Sequence, residues 1–233
     1  MGEPLPILLV PGLNCSVRLY AEQIPALWRL GPVQIADHTR DDSMAAIAAR
    51  ILAAAPSRFA LIGLSMGGYI SFEITRQAPE RVARLALLDT NARADTPEQT
   101  ERRQRQIEMA MSGRFAEIPD LMFPLLVHRN FQGDTRLRTI NRLMAEETGP
   151  QAFVRQQRAI MARPDLRASL AAIRCPTLVL VGEADELTPP ALAREIAGGI
   201  AGARLVIVPD SGHLSTLEQP ATVTKLIVEW MSS

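Results

Sequence analysis

The stretch Phe59-Ala60-Leu61-Ile62-Gly63-Leu64-Ser65-Met66-Gly67-Gly68 joins an apolar run of strand length to G-x-S-x-G and then to a helix-like segment. That order predicts a nucleophile elbow: a strand ends, the chain turns sharply, and a serine hydroxyl is held out at the top of a sheet. Glycines flank Ser65 because such a turn leaves little room for side chains beside the serine backbone. The pentapeptide alone is a weak signal, since Gly and Ser are common. The strand before it and the helix after it carry the reading. The plain alternative is a serine that only makes a turn.

Working outward, strands and helices alternate. Ile7 to Val10 is a buried-type strand ended by Pro11-Gly12. Leu19 to Trp28 reads as a helix, and Val33 to Ala36 as a short second strand. Ser43 caps a helix with Met44, Ile47, Ala48, Ile51, Leu52 and Ala55 on one stripe. The helix after Ser65 runs to about Ala78, before Pro79. Val82 to Leu88 is a fourth strand. From about Thr96 to Leu170 no strand pattern occurs, and breaks at Gly113, Pro119, Gly133 and Gly149-Pro150 divide three or four helices. Alternation resumes with a strand at Thr177–Val181, a helix at Pro190–Ala197, a last strand at Leu205–Val208, and a final helix striped by Val223, Leu226, Ile227 and Trp230. Such alternation implies βαβ units and a mainly parallel sheet covered by helices on both faces. The expected organisation is a core domain of residues 1–92 and 173–233, with a helical cap (lid), 93–172, inserted after the fourth strand.

Composition narrows the class. The chain has 233 residues, 47% apolar and 21% charged, enough for one sizeable core. Its formal net charge is zero, which argues against a nucleic-acid partner held by a basic surface. The two cysteines, Cys15 and Cys175, are too few for a disulfide framework and fit a reducing compartment. Met1-Gly2-Glu3-Pro4 lacks the basic region of a secretory signal. No apolar run reaches the roughly 18 to 20 residues of a membrane span. The expectation is a cytoplasmic protein with no membrane partner.

In an open parallel sheet, ligands bind beyond the C-terminal ends of the strands. Ser65, Asp185 and His213 each follow a predicted strand, so all three should gather at one edge. The chemistry needs these types. A serine hydroxyl requires a base; histidine, with an ordinary pKa near ~6.5, suits that task; a buried carboxylate holds the imidazole tautomer. An oxyanion needs backbone N–H donors, worth roughly 3 kcal/mol each. Met66, after the nucleophile, supplies one. In the loop after the first strand, Pro11-Gly12-Leu13-Asn14, Leu13 is the candidate for the other. No metal or organic cofactor is implied.

The segments Leu8–Asn14 (LLVPGLN), Ile62–Tyr69 (IGLSMGGY), Val181–Pro190 (VGEADELTPP) and Asp210–Pro220 (DSGHLSTLEQP) resemble the α/β-hydrolase superfamily, in its capped, esterase- and lactonase-like group. With the pattern between them they cover nearly the whole chain. The resemblance implies the α/β-hydrolase fold and a Ser65–His213–Asp185 triad. Glu218 and Pro220 after the histidine also match family habit. Many relatives have His-Gly in place of Pro11-Gly12, and His in place of Leu64; neither change removes a triad member. Larger relatives carry an edge hairpin before the first central strand. This sequence begins almost at that strand, so about six strands are expected.

Competing assignments stay open at this point. His38, beside Asp37, fits a loop-capping role, and His128 fits either a pocket wall or a solvent face. Glu183, Glu186 and Asp89 compete with Asp185; Asp89 also fits a turn with Thr90 and Asn91. Asp210 fits the turn before His213, and Cys15 a small packing position. The inserted segment carries Met109, Met111, Met122, Met144 and Met161, which read as ordinary packing before an adaptable pocket. It holds thirteen arginines against ten acids; most should be solvated, with Arg158 or Arg163 the candidates to meet a substrate carboxylate. The expected function is a serine hydrolase of small to medium carboxylic esters, or of lactones. The same site also serves enol-lactonases, C–C bond hydrolases and perhydrolases in this superfamily. A non-catalytic ligand receptor is the reading from another class. Halide release is disfavoured, because it uses a carboxylate where this chain has Ser65.

Overall fold

The computed structural model describes residues 4–232. Met1–Glu3, part of the stretch read above for a signal, lie outside the described residues, as does Ser233. Six strands form one sheet: β1 (Ile7–Val10), β2 (Val33–Ile35), β3 (Phe59–Leu64), β4 (Val82–Leu88), β5 (Thr177–Gly182) and β6 (Arg204–Val208). Their order is β2-β1-β3-β4-β5-β6, and every neighbouring pair is parallel. Among the described residues ten α-helices accompany them: α1 (Ile24–Leu27), α2 (Met44–Ala54), α3 (Met66–Gln77), α4 (Pro97–Met111), α5 (Ile118–Leu126), α6 (Thr135–Thr148), α7 (Pro150–Met161), α8 (Pro190–Gly199), α9 (Ser215–Glu218) and α10 (Pro220–Ser232).

Strand alternation divides the core in two. Leu8 and Val10 of β1, Phe59 and Leu61 of β3, and Val179 and Val181 of β5 pack on one face, against α2, α3 and α8. Ile7 and Leu9, Ala60 and Ile62, and Leu178 and Leu180 pack on the other, with Leu27 of α1 and Val223, Ile227 and Trp230 of α10. Strands buried on both faces must be apolar at every position, which is why β1 and β3 read as unbroken apolar runs.

One expected element differs. Leu19–Trp28 is not one helix. A 3-10 turn, Val17–Tyr20, is followed by the single-turn α1. Pro25 lies in the first turn of α1; it has no N–H to continue a helix from the preceding turn, so the chain restarts there. Between β4 and β5 the structure has four α-helices, α4 to α7, in the region expected to be strand-free. Two start with proline, α4 and α7, and α5 carries Pro119 in its first turn. Thr96 and Gln99 form a reciprocal capping box on α4, which satisfies its first exposed N–H groups.

Ile62 lies in β3, between β1 and β4, and is fully buried. Ile62→Ala should cost about 2–5 kcal/mol of stability, read as a lowered urea midpoint with unchanged slope; a loss well under 1 kcal/mol would mean the sheet is not packed there as described.

Candidate active site

Parallel strands bring the β1, β3, β4, β5 and β6 C-termini to one edge, and the segments that follow them meet there. Ser65 sits between β3 and α3 with φ 56° and ψ −116°, a conformation that costs a non-glycine residue of order 1–3 kcal/mol. The turn is held from two sides: the Ser65 N–H donates to the Leu88 carbonyl at 2.9 Å, and the Thr90 hydroxyl donates to the Ser65 carbonyl at 2.8 Å. Gly67 is required by close approach, since a Cβ there would collide with the Val10 carbonyl oxygen.

The His213 imidazole lies between the other two residues. Its Nε2 is 2.9 Å from Ser65 Oγ and its Nδ1 is 2.8 Å from Asp185 Oδ2. A carboxylate only accepts, so Nδ1 carries the proton and Nε2 accepts from the Ser65 hydroxyl. Both His213 and Asp185 are buried. The Asp185 carboxylate also accepts the N–H groups of Leu187 and Thr188, each at 2.9 Å, and the Thr188 hydroxyl at 2.6 Å. Burial opposes the charge on Asp185, but the imidazole and these donors outweigh it and hold its pKa below the ordinary value. Burial likewise opposes the imidazolium, yet the Asp185 charge and hydrogen bond, with Asp89 and Glu218 behind, leave the His213 pKa above its ordinary value.

The competing acids lie elsewhere. Glu183 and Glu186 are exposed. Asp89 is fully buried, but it accepts from the Gly182 N–H at 2.9 Å and from Ser215 Oγ at 2.5 Å, with no hydrogen bond to His213. Burial, then the Asp185 charge, pushes its pKa well above the carboxylate range. It does not cap a turn through its neighbours: Thr90 holds Ser65, and Asn91 donates to the Tyr69 hydroxyl at 3.0 Å. Asp210 adopts φ 50° in the turn before His213.

The loop after β1 lines the same cavity as Ser65 and His213. Its Leu13 N–H and the Met66 N–H have no protein acceptor among the described residues. Asn14 takes the left-handed conformation, φ 59°, which asparagine tolerates; its N–H donates to Gln156 of α7 at 3.0 Å. His38 is not a second base at the serine: its Nε2 lies 2.9 Å from the Gly12 carbonyl. Burial lowers its pKa, so a neutral ring donates to that carbonyl. His128 does not line the cavity; its backbone N–H donates to Glu218 at 2.6 Å. The Glu218 carboxylate also accepts the N–H groups of Gly212 and Leu214, tying down the histidine loop from both ends. Cys15 is buried, and burial pushes its thiol up to about 12, so it stays protonated and packs as a small residue.

Helices α4 to α7 supply the rest of the wall, including Ile118, Met122, Asn141 and Phe153. Met144 packs in the core and Met111 faces solvent, so only Met122 of the five methionines lines the cavity. Arg158 is exposed and away from it. Arg163 does line it, but its guanidinium is engaged by Asp95 at 2.8 Å and by the Ile160 carbonyl at 2.8 Å. Sequence reading missed Thr188, Thr90 and Gln156. The D-x-x-T spacing of Asp185 and Thr188 is a local side-chain-to-backbone signal that could have found the first; Thr90 and Gln156 act across the fold and left no local trace. Among the described residues, no group of three His, Cys, Asp or Glu side chains could hold a metal ion.

The alpha/beta hydrolase family model matches residues 7–226. The chain belongs to that family. Among solved alpha/beta hydrolases and related structures, it is similar to a thermophilic esterase from Thermogutta terrifontis, at 32% identity and TM-score 0.90, covering 100% of this chain and 91% of that one. It is similar to the enol-lactonase from Burkholderia xenovorans LB400, at 26% identity and TM-score 0.90, covering 100% and 93%. In sequence it is 28% identical over 239 residues to the pimeloyl-(acyl-carrier protein) methyl ester esterase of Aromatoleum aromaticum, 97% of this chain and 92% of that protein. It is also 25% identical to the biotin biosynthesis bifunctional protein BioHC of Cellvibrio japonicus over 242 residues; that match covers 99% of this chain and 48% of that protein. No helix among the described residues is long and apolar enough to cross a membrane.

An NMR titration of the His213 ring should give a pKa above the ordinary ~6.5. In Asp185→Asn, which removes the largest opposing charge, it should fall below the wild-type value. An unchanged pKa would show that the two side chains do not interact in solution.

Proposed function

We propose that this alpha/beta hydrolase is a serine hydrolase of small to medium carboxylic esters, working through Ser65, His213 and Asp185. The observation that carries the reading is the His213 ring, hydrogen-bonded to Ser65 at one nitrogen and to Asp185 at the other. In this mechanism His213 Nε2 takes the Ser65 proton as Oγ attacks the ester carbonyl. The oxyanion is held by the N–H groups of Leu13 and Met66, the latter at the N-terminus of α3 where the helix dipole adds to it. His213 then gives the proton to the leaving alcohol. In the second half it takes a proton from water as the oxygen attacks the acyl-enzyme carbonyl; the bond from the acyl carbon to Ser65 Oγ then breaks, His213 returns the proton to Oγ, and the acid leaves. Asp185 holds the ring tautomer and balances the imidazolium charge without itself taking the proton. Helices α4 to α7 act as the cap, and their side chains set which acyl and alcohol groups fit. The unpaired Cys15 and Cys175 support a reducing, cytoplasmic setting.

A lactone reading has its own support in the enol-lactonase at TM-score 0.90. A lactone is a cyclic ester, so the same attack opens the ring and the leaving alcohol stays attached to the acyl group.

Ser65→Ala should lose at least about a thousandfold in ester turnover and all labelling by a fluorophosphonate, with an unchanged far-ultraviolet spectrum. Unchanged turnover of p-nitrophenyl acetate in a folded Ser65→Ala chain would refute the reading. Because the neutral imidazole is the base, kcat/KM should fall as pH drops through a pKa above ~6.5. The two buried acids separate by substitution. Asp185→Asn should cost about 10³- to 10⁴-fold, and Asp89→Asn less than about tenfold; the reverse ranking would move the triad acid to β4.

A further inference from the structure

Helix α4 turns one polar face to the cavity: Gln99, Arg102, Arg103 and Gln106, spaced i, i+3, i+4, i+7 as one side of a helix requires. Three of these are occupied by protein partners. Gln99 accepts the Thr96 N–H at 2.9 Å. Arg103 donates to Asp95 at 2.7 Å and to Gln157 at 2.9 Å. Gln106 accepts from Gln157 at 2.6 Å and donates to the Met122 sulfur at 2.9 Å. Arg102 has no ion pair and no hydrogen bond among the described residues.

The charge around it is unbalanced. Among the described residues, three guanidinium groups, Arg102, Arg103 and Arg163, line the cavity, and no Asp or Glu does. Behind the wall, Asp95 is shared: it binds Arg103 through one oxygen and Arg163 through the other. Arg163 is further committed by lying 4.1 Å over the Tyr69 ring. One carboxylate thus answers two guanidiniums, and the third faces the cavity alone. Burial, then repulsion from Arg103, lowers the Arg102 pKa; a bound anion would relieve both. The contrast with the outer surface of the same segment is sharp, where Arg114, Arg142 and Arg167 each face their own acid at 2.8 Å or less.

We propose that Arg102 is a substrate-binding residue that selects esters carrying a free carboxylate, such as monoesters of dicarboxylic acids. The guanidinium fork matches a carboxylate in shape and pairs with it through two parallel hydrogen bonds. This selectivity rests on the reading of Ser65 as the nucleophile in the same cavity; the carboxylate subsite itself does not.

The test compares monoethyl adipate with the neutral ethyl heptanoate. Wild type should favour the acidic ester in kcat/KM, and the preference should shrink as salt rises. Arg102→Gln should reduce the acidic-to-neutral ratio by about ten- to hundredfold, through KM of the acidic ester, while Arg102→Lys keeps part of it. Equal loss on both esters, or a wild type that favours the neutral one at low salt, would overturn the proposal. A second arm needs no turnover: adipate is titrated by ligand-observed NMR into Ser65→Ala and into Ser65→Ala/Arg102→Gln. Adipate should bind the first and bind at least about tenfold more weakly to the second. Equal affinity, or no binding to either, would sink the subsite. Adipate binding without ester turnover in wild type would instead leave the subsite standing and remove the hydrolase reading.

Discussion

Parallel pairing forces all six strands to end at the same edge, and everything at the candidate site depends on that constraint. A parallel strand must be followed by a crossover before the next can begin. Each crossover therefore starts where its strand stops, and the side chains at those points meet although they are far apart in sequence. Ser65 and His213 are 148 residues apart and in contact. The ladder also pins the turn itself: Ser65 is held by the carbonyl that ends β4 and by the hydroxyl of Thr90 just beyond. That is how the fold keeps a serine in a backbone conformation that it would not adopt alone.

Around the histidine, three buried carboxyl groups divide the work by what their oxygens accept. Asp185 spends one position on the imidazole and the rest on Thr188 and Leu187. Glu218 takes backbone N–H groups from the two loops that frame His213. Asp89 joins the start of α9 to the end of β5 through Ser215 and Gly182. Burying a carboxylate is costly unless it is hydrogen-bonded, and each of these is. Only Asp185 has the imidazole as a partner, which is why its pKa goes down while that of Asp89 goes up. The same desolvation acts on both; the neighbour decides the sign.

The helices between β4 and β5 do more than close the cavity. Gln156 of α7 holds the Asn14 N–H and lies 3.4 Å from the His38 carbonyl, and the Leu126 carbonyl, ending α5, accepts the N–H groups of His213 and Leu214. The segment between β4 and β5 thus touches both the loop after β1 and the histidine loop by direct hydrogen bonds. In the proposed mechanism, a shift of α5 or α7 reaches the reacting groups without passing through the sheet. Many of its arginines are solvated pairs, while Arg102, Arg103 and Arg163 lie on the inner face, the last two paired with the buried Asp95.

The alternation of strands and helices, the sharp turn at Ser65, and the strand-free segment after β4 were legible in the sequence, because periodicity and glycine spacing are properties of neighbouring residues. The Leu19–Trp28 segment departs from the expected single helix for a local reason, the proline at 25. The family resemblance points to Asp185, but the residues alone leave Asp89 and the two exposed glutamates open, since all sit beside strand ends and differ only in what faces them. Nor were the roles of His38, Thr90 and Gln156 legible, nor the position of Arg102, which lines the cavity without a hydrogen bond or ion pair among the described residues. Those outcomes are set by distances between residues up to 148 positions apart, which exist only after the sheet has formed and its crossovers have packed.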